Sequence, residues 1–195
     1  IKEVNFELIF VDDKSSDSSF QICKKRIKNH KNIVFKLIKL KKKGGQTGAF
    51  KTAFKIAKGK YIIRMDSDLQ DNPKDILKFI KKIKKGYHLI IGSRKLRKHA
   101  LTLSFCSYLY SLAMKYLLNS NLKTYTSSFV AIKKKYLVNL PWYKNDHRYL
   151  PVISICRGAK KQTEIVIKHK KRKFGFSKYN KTKKIIYGIP EVILF

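Results

Sequence analysis

Short apolar runs alternate with stretches of helical period through the first half of the chain, and this alternation restricts the fold more than any other feature. FELIFVDD (Phe6 to Asp13), NIVFKLIKL (Asn32 to Leu40), KYIIRMD (Lys60 to Asp66) and YHLIIGSR (Tyr87 to Arg94) read as strands, the first of them buried. Between them, KSSDSS forms a turn with N-cap candidates and leads into a basic helix from about Ser18 to Asn29. Ala49, Phe50, Ala53, Phe54 and Ala57 recur at helical spacing, with Gly59 as a C-cap. Pro73 opens a third helix at a favoured first-turn position, with Ile76, Leu77, Ile80 and Ile83 on one face and Gly86 at its end. Strands and helices joined by short loops predict an α/β domain with a largely parallel sheet.

In such sheets ligands bind at the carboxyl ends of strands. Three of these ends carry chemistry: Asp12-Asp13, Asp66-Ser67-Asp68 and Gly92-Ser93-Arg94. After Lys98 the alternation fades. The uncharged stretch from Ala100 to Met114 reads as a core helix in preference to an interfacial one. TYTSSFVAIKK reads as a further strand, NDHRYLPVISICRG as a short helix, and AKKQTEIVIKHKKRKFGFSKY as a strand running into a basic loop. His169, set among cations, reads as neutral and structural. The 195 residues, 44% of them apolar, suffice for one domain with a sizeable core.

Charge makes the acids conspicuous. The chain has 46 Lys+Arg against 12 Asp+Glu, a formal net charge of +34, yet Asp66, Asp68 and Asp71 fall within six residues. Asp66 and Asp68, at i and i+2 past a strand, can point two carboxylates to one side and share a hard divalent cation such as Mg²⁺ or Mn²⁺, which in turn bridges to phosphates. The alternative is a solvated turn in which Asp71 or Asn72 caps the helix begun by Pro73. Gly44-Gly45-Gln46 reads either as an anion nest or, by preference, as a simple helix start; no Walker motif follows it. The lysine excess fits an AT-rich coding sequence as well as it fits an anionic partner such as nucleic acid, a membrane surface or phosphorylated substrates.

Cys23, Cys106 and Cys156 have no metal-ligand spacing and an odd count, which argues for reduced thiols in a cytosolic setting. No run approaches the roughly 18 to 20 apolar residues of a membrane-spanning helix. The first residue is not Met and the last stretch, IIYGIPEVILF, stops while still hydrophobic, so the chain reads as a fragment cut at both ends.

Four segments together resemble glycosyltransferase family 2, and within it the branch acting on polyprenyl phosphates. FVDDKSSDSS is similar to the family's V-D-D-G-S-x-D. KKKGGQTGAFKTAFKIAKGKYIIRMDSDLQDNP is similar to its R-N-x-G-Q-x-x-A run ending in M-D-A-D-L-Q-D-P-P. GYHLIIGSR is similar to G-Y-D-V-V-x-G-S-R, and HRYLPVISICRGAKKQTEIVIKHKKRKFGFSKY to H-R-x-L-P followed by R-x-x-G-x-S-K-Y. These segments cover nearly the whole chain in the family's order.

The resemblance implies the GT-A fold, a mostly parallel central sheet flanked by helices, in a single catalytic domain over 1–195. Residues 1–98 would form its nucleotide-sugar half and 99–195 its acceptor half. It implies a metal site of Asp66 and Asp68 with help from Gln70, occupied by Mg²⁺ or Mn²⁺. It implies donor nucleotide contacts from Asp12, Asp13, Gln46 and Asp66. Arg94 and Arg172 would grip phosphate as catalytic residues beside Asp66 and Asp68. His147, Arg148, Ser177, Lys178 and Tyr179 would join the two arginines at the acceptor. The implied reaction is inverting transfer of a sugar from a UDP- or GDP-sugar to polyprenyl phosphate. It would take place at the cytoplasmic face of the cell membrane, with membrane segments expected beyond Phe195 and a homo-oligomer left open.

Three departures from the family pattern stand out. Its first strand and P-x-Y-N-E turn are absent. Lys14 replaces a glycine, and lysine rarely adopts a left-handed backbone, so a different turn is expected there. Thr124 stands where many members have Asp. A glycan or lipooligosaccharide acceptor is the alternative within the family. A basic nucleic-acid-binding protein is the alternative outside it, with aromatics interleaved among the lysines of KKRKFGFSKYNKTKK. The acid pairs at strand ends argue against nucleic acid.

Overall fold

The central strand of the structure is the one whose sequence has no polar alternation. The computed structural model describes residues 5–27, 32–94 and 112–170. Its strands are β1 (Phe6–Asp12), β2 (Ile33–Lys39), β3 (Tyr61–Arg64), β4 (Leu89–Arg94), β5 (Val130–Lys133) and β6 (Gln162–Ile167). Its α-helices include α1 (Ser19–Arg26), α2 (Gly45–Ile56), α3 (Ile76–Lys84) and α4 (Leu150–Cys156). Leu89, Ile90 and Ile91 of β4 are all fully buried, because the strand has β5 on one side, β6 on the other and helices on both faces.

β3, β5, β4 and β6 form a sheet in that order, with β5 antiparallel to both β3 and β4, and β4 parallel to β6. β1 and β2 form a separate parallel pair, with Phe6 opposite Ile33 and Asp12 opposite Lys39. The described sheets are therefore mixed, with β5 the antiparallel element. β1 is half-buried rather than buried: none of its residues is fully buried and Leu8 is 40% exposed.

The period of two along β4 and β5 sorts the core into two layers. Leu89, Ile91, Val130 and Ile132 face one layer with Phe54 of α2 and Leu150 and Ile153 of α4. Phe50 and Trp142 pack at its edge, their ring centroids 5.4 Å apart. Ile90 and Ala131 face the other layer with Phe129, Ile165, Ile167 and Phe79 of α3. The Phe79 ring lies 4.5 Å from that of Phe129. Phe79 is the buried residue of α3, whereas Leu77, expected on the buried face, is 43% exposed. Burying a phenylalanine contributes about 2 to 3 kcal/mol, enough to fix which face of the helix turns inward.

The third helix starts as a 3-10 turn, Pro73–Asp75, before α3 takes over, and Gly86 closes it at φ +77°. α2 ends earlier than expected. Its cap is Ala57 in an extended conformation, two residues before Gly59. Among the described residues no helix is long and apolar enough to cross a membrane. The expected Ala100–Met114 helix lies almost wholly outside the described residues, as do Cys106 and the basic loop from Lys171 onward.

Candidate active site

The turn after β3 carries three of the chain's acids and is held in an unusual shape. Asp66 is partly exposed, and its Oδ1 lies 3.4 Å from Nη2 of Arg64. Oδ1 of Asp68 accepts the backbone N–H of Gln70 at 3.2 Å. Leu69 between them has φ +62° and is 67% exposed. A left-handed, solvated leucine is a costly arrangement that persists only where its surroundings enforce it, and such outliers concentrate at functional sites. The two capping candidates divide their roles. The Asn72 side chain accepts from the N–H of Lys74 and caps the 3-10 turn. Asp71 is 3% exposed and points inward.

The end of β1 is organised differently. The Asp12 carboxylate accepts the Ser15 N–H at 3.2 Å. The Asp13 carboxylate takes the N–H groups of Gly44 and Gly45, at 2.7 and 3.0 Å, where α2 begins. The glycine pair is thus an anion nest after all, and its anion is a side chain of the same chain. A carboxylate there satisfies free helix N–H groups and meets the positive end of the helix dipole. Gln46 is exposed in the first turn of α2. Lys14 adopts φ +57° despite its side chain, so the turn after Asp13 takes the left-handed form that the lysine argued against.

One arginine ties the acids to the second half of the chain. Arg64 Nη1 donates to the His147 carbonyl at 2.5 Å while Nη2 faces Asp66. His147 is 4% exposed, and its Nδ1 lies 2.7 Å from the Thr47 hydroxyl of α2. The Asn145 N–H donates to the same hydroxyl at 3.1 Å. Burial, reinforced by the charges of Arg64 and Arg148, pushes the His147 imidazole down to about 4. It is therefore neutral at physiological pH, packed inside the molecule with its Nδ1 on Thr47. Neighbouring Asp146 is 2% exposed, accepts the Tyr143 N–H at 2.6 Å through Oδ2, and has no hydrogen-bond partner at Oδ1. Burial pushes its carboxyl up, with the Tyr143 N–H opposing. Arg148 is half-buried beside it in the 3-10 turn Asp146–Arg148.

Arg94, at the end of β4, reaches Ser128 Oγ at 3.1 Å and the Asp71 carboxylate at 3.5 Å. Its Nε is buried with no hydrogen-bond partner. Asp71 also meets His169 Nδ1 at 2.8 Å. The structure therefore gathers Asp66, Asp68, Gln70 and Arg94 about one turn, links that turn through Arg64 to His147, and leaves Asp13 capping α2. Arg172, Ser177, Lys178 and Tyr179 lie outside the described residues. Thr47, Arg64, Asp71 and His169 were not singled out from sequence as site residues. A signal existed for Arg64, the one charge inside the apolar run YIIRM.

Among the described residues no group of three or more His, Cys, Asp or Glu could hold a metal ion. The Asp66 and Asp68 carboxylates still suit a cation of the Mg²⁺ type, which commonly takes one or two carboxylates and completes its shell with water and substrate phosphate.

Comparison with known proteins identifies the family of the chain. Residues 1–140 match the family model described as glycosyl transferase family 2. The dodecaprenyl-phosphate galacturonate synthase of Rhizobium johnstonii is 27% identical over 198 residues, covering 97% of this chain and 57% of that protein. The undecaprenyl-phosphate 4-deoxy-4-formamido-L-arabinose transferase of Photorhabdus laumondii is 27% identical over 175 residues, covering 90% of this chain and 53% of that protein. The chain spans about half the length of the curated relatives it matches. In fold it is similar to a mycobacterial protein, with a TM-score of 0.62 at 18% identity over 85% of this chain and 57% of the other. It is also similar to the glucosyl-3-phosphoglycerate synthase of Mycobacterium tuberculosis solved with Mn²⁺, UDP-glucose and phosphoglyceric acid. There the TM-score is 0.54 at 10% identity, over 88% of this chain and 73% of the other. These likenesses establish a GT-A fold.

Proposed function

The chain belongs to glycosyltransferase family 2, and from that premise we propose that the whole protein moves a sugar from a nucleotide-sugar to a polyprenyl phosphate, with inversion, at the cytoplasmic face of a membrane. The observation that carries the reading is the Asp66–Gln70 turn at the carboxyl end of β3, where Asp66 meets Arg64, Asp68 accepts the Gln70 N–H, and Arg94 reaches the following Asp71. The names of the two relatives, both polyprenyl-phosphate sugar transferases, support the acceptor class.

In this reading Asp66 and Asp68 hold Mg²⁺ or Mn²⁺, with Gln70 close by. The bound ion would neutralise charge on the donor diphosphate. A phosphate oxygen of the acceptor attacks the anomeric carbon, and the bond from that carbon to the donor's β-phosphate oxygen breaks. The nucleoside diphosphate departs with the electron pair. The acceptor is already an anion, so the chain's task is orientation and charge neutralisation more than proton removal. Arg94, at the end of β4, is carried to the turn by its contact with Asp71, and in this reading its guanidinium would meet a phosphate. His147 is buried on Thr47, so its contribution is to fix the 145–148 turn that presents Arg148. The two halves, 1–98 and 99–195, act as one catalytic unit.

The test is nucleotide binding by the full-length protein, using UDP- and GDP-sugars with and without Mn²⁺, beside an Asp66→Asn/Asp68→Asn double variant. Metal-dependent binding that the folded variant loses is the expected result and names the nucleotide. Equal binding by both proteins would overturn the reading.

A further inference from the structure

We propose that Asp71 is a positioning residue that clamps the Asp66–Gln70 turn to the segment leaving β6, using Arg94 and His169 as its two partners. The inference rests on the reading that this turn holds the donor.

The first observation is where the carboxylate lies. Asp71 is 3% exposed in a chain with few acids. Burying a carboxylate is costly unless it is paired, and Asp71 is not needed as a cap because Asn72 serves that role. Its Oδ1 lies 2.8 Å from His169 Nδ1. Its Oδ2 lies 3.5 Å from Arg94 Nη2, within ion-pair reach but without a hydrogen bond. The two partners come from different strand ends, Arg94 from β4 and His169 from two residues past β6.

The second observation is independent of that side chain. The backbone beside Asp71 is zipped to the same segment. Asp71 and His169 form an isolated antiparallel bridge. The Lys170 N–H donates to the Gln70 carbonyl at 2.8 Å, and Gln70 Nε2 donates to the Lys170 carbonyl at 3.3 Å. One turn on, the Lys168 N–H donates to Asp75 Oδ2 at 3.0 Å, and Lys78 Nζ holds the other oxygen of that carboxylate at 2.7 Å. Residues 168–170 therefore form a short rung laid along the acidic turn, with Asp71 as its buried pin. The strained Leu69 backbone lies on the free side of this pin, two residues away. A turn carrying a left-handed leucine needs an external restraint to keep Asp68 and Gln70 in place. The rung supplies that restraint.

The experiment compares full-length wild type with Asp71→Asn, His169→Gln and the double variant. Backbone amide exchange is followed over residues 68–71 and 168–170, together with the thermal midpoint and donor kinetics at saturating Mn²⁺. Asp71→Asn keeps the size of the side chain and removes its charge. The expected result is exchange about tenfold faster in both segments together, with the remaining segments unchanged, because local opening of one rung frees both strands. The apparent KM for the donor rises about tenfold while kcat changes less than about threefold, the pattern of lost positioning in the ground and transition states alike. The double variant behaves like Asp71→Asn alone, since the two residues act through one contact.

Unchanged exchange in either segment overturns the proposal. So does a uniform rise over the whole chain with a lowered midpoint, which would make Asp71 a general stability residue. Strictly additive effects of the two substitutions also overturn it. If the wild-type protein binds no donor, the reading of function fails, and the exchange data still decide whether the clamp exists.

Discussion

The Thr47 hydroxyl and Nδ1 of His147, 100 residues apart in the chain, lie 2.7 Å from each other and join α2 to the turn that precedes α4. The imidazole is buried and pushed down to about 4 by that burial and by the charges of Arg64 and Arg148. In the unfolded chain it titrates near 6.5, so between these values the unfolded state binds the extra proton. The contribution to stability is therefore complete above pH 6.5 and is lost as pH falls toward 4. Its ceiling is about 3 kcal/mol. Urea unfolding at pH 7.5 and pH 4.5 should show this acid loss in the wild type and a flatter profile in His147→Gln, which starts lower because the Thr47 contact is altered.

Asp13 caps α2 with two backbone bonds, so its role in the structure is already defined without a nucleotide. Replacing it by Ala should cost about 1 to 2 kcal/mol, the range for losing a good N-cap. Chemical denaturation of Asp13→Ala and Asp13→Ser measures it, and Ser should recover part of the loss. A loss of donor affinity larger than the loss of stability would show that the same carboxylate also meets the donor.

Arg64 bridges the His147 carbonyl and the Asp66 carboxylate. Arg64→Met keeps the length of the side chain and removes both contacts. Leaving a buried carbonyl without its charged donor should cost about 2 kcal/mol. Asp66, without its cationic neighbour, should be held less firmly. Donor titrations at low and high Mn²⁺ should show weaker binding that excess metal partly restores.

Much of this was legible locally. The apolar β4, the helix opened by Pro73 and the acid pair at the end of β3 are features of neighbouring residues, and periodicity finds them. The partners of the site residues were not legible, because the contacts that decide them span the chain. Arg64 to His147 spans 83 residues, Asp71 to His169 spans 98, and Asp13 to Gly44 spans 31. The face of α3 was misjudged for a local reason. Phe79 shares a helical stripe with Ile76 and Ile83 that Leu77 does not, and it packs in one layer with them against the Phe129 ring.

Lys14 carries a prediction in the opposite direction. It holds φ +57° at an exposed position directly after Asp13. A side chain at such an angle costs about 1 to 2 kcal/mol, and glycine does not bear this cost. Glycine loses more chain entropy on folding, which offsets part of the gain. Lys14→Gly should therefore stabilise the protein by about 0.5 to 1 kcal/mol. A shift of the denaturation midpoint in that direction, with an unchanged slope, checks it.

Gly92 tests whether the position of Arg94 depends on the packing of its own strand. A Cβ at residue 92 would sit 2.9 Å from the Phe129 carbonyl oxygen and 3.0 Å from Ile167 Cδ1. The isoleucine tip can shift, but the carbonyl cannot, because it already accepts the Gly92 N–H at 2.8 Å as part of the contact between these strands. Gly92→Ala must push β4 from its neighbours, at a cost of about 1 to 3 kcal/mol for an overpacked core. The strain falls two residues before Arg94 and should loosen its contacts to Ser128 and Asp71. Denaturation gives the stability loss, and donor kinetics on the folded fraction should show reduced transfer even at temperatures well below the midpoint. Gly92→Ala with wild-type kinetics would mean that Arg94 is set by Asp71 and Ser128 alone, independently of the strand that carries it.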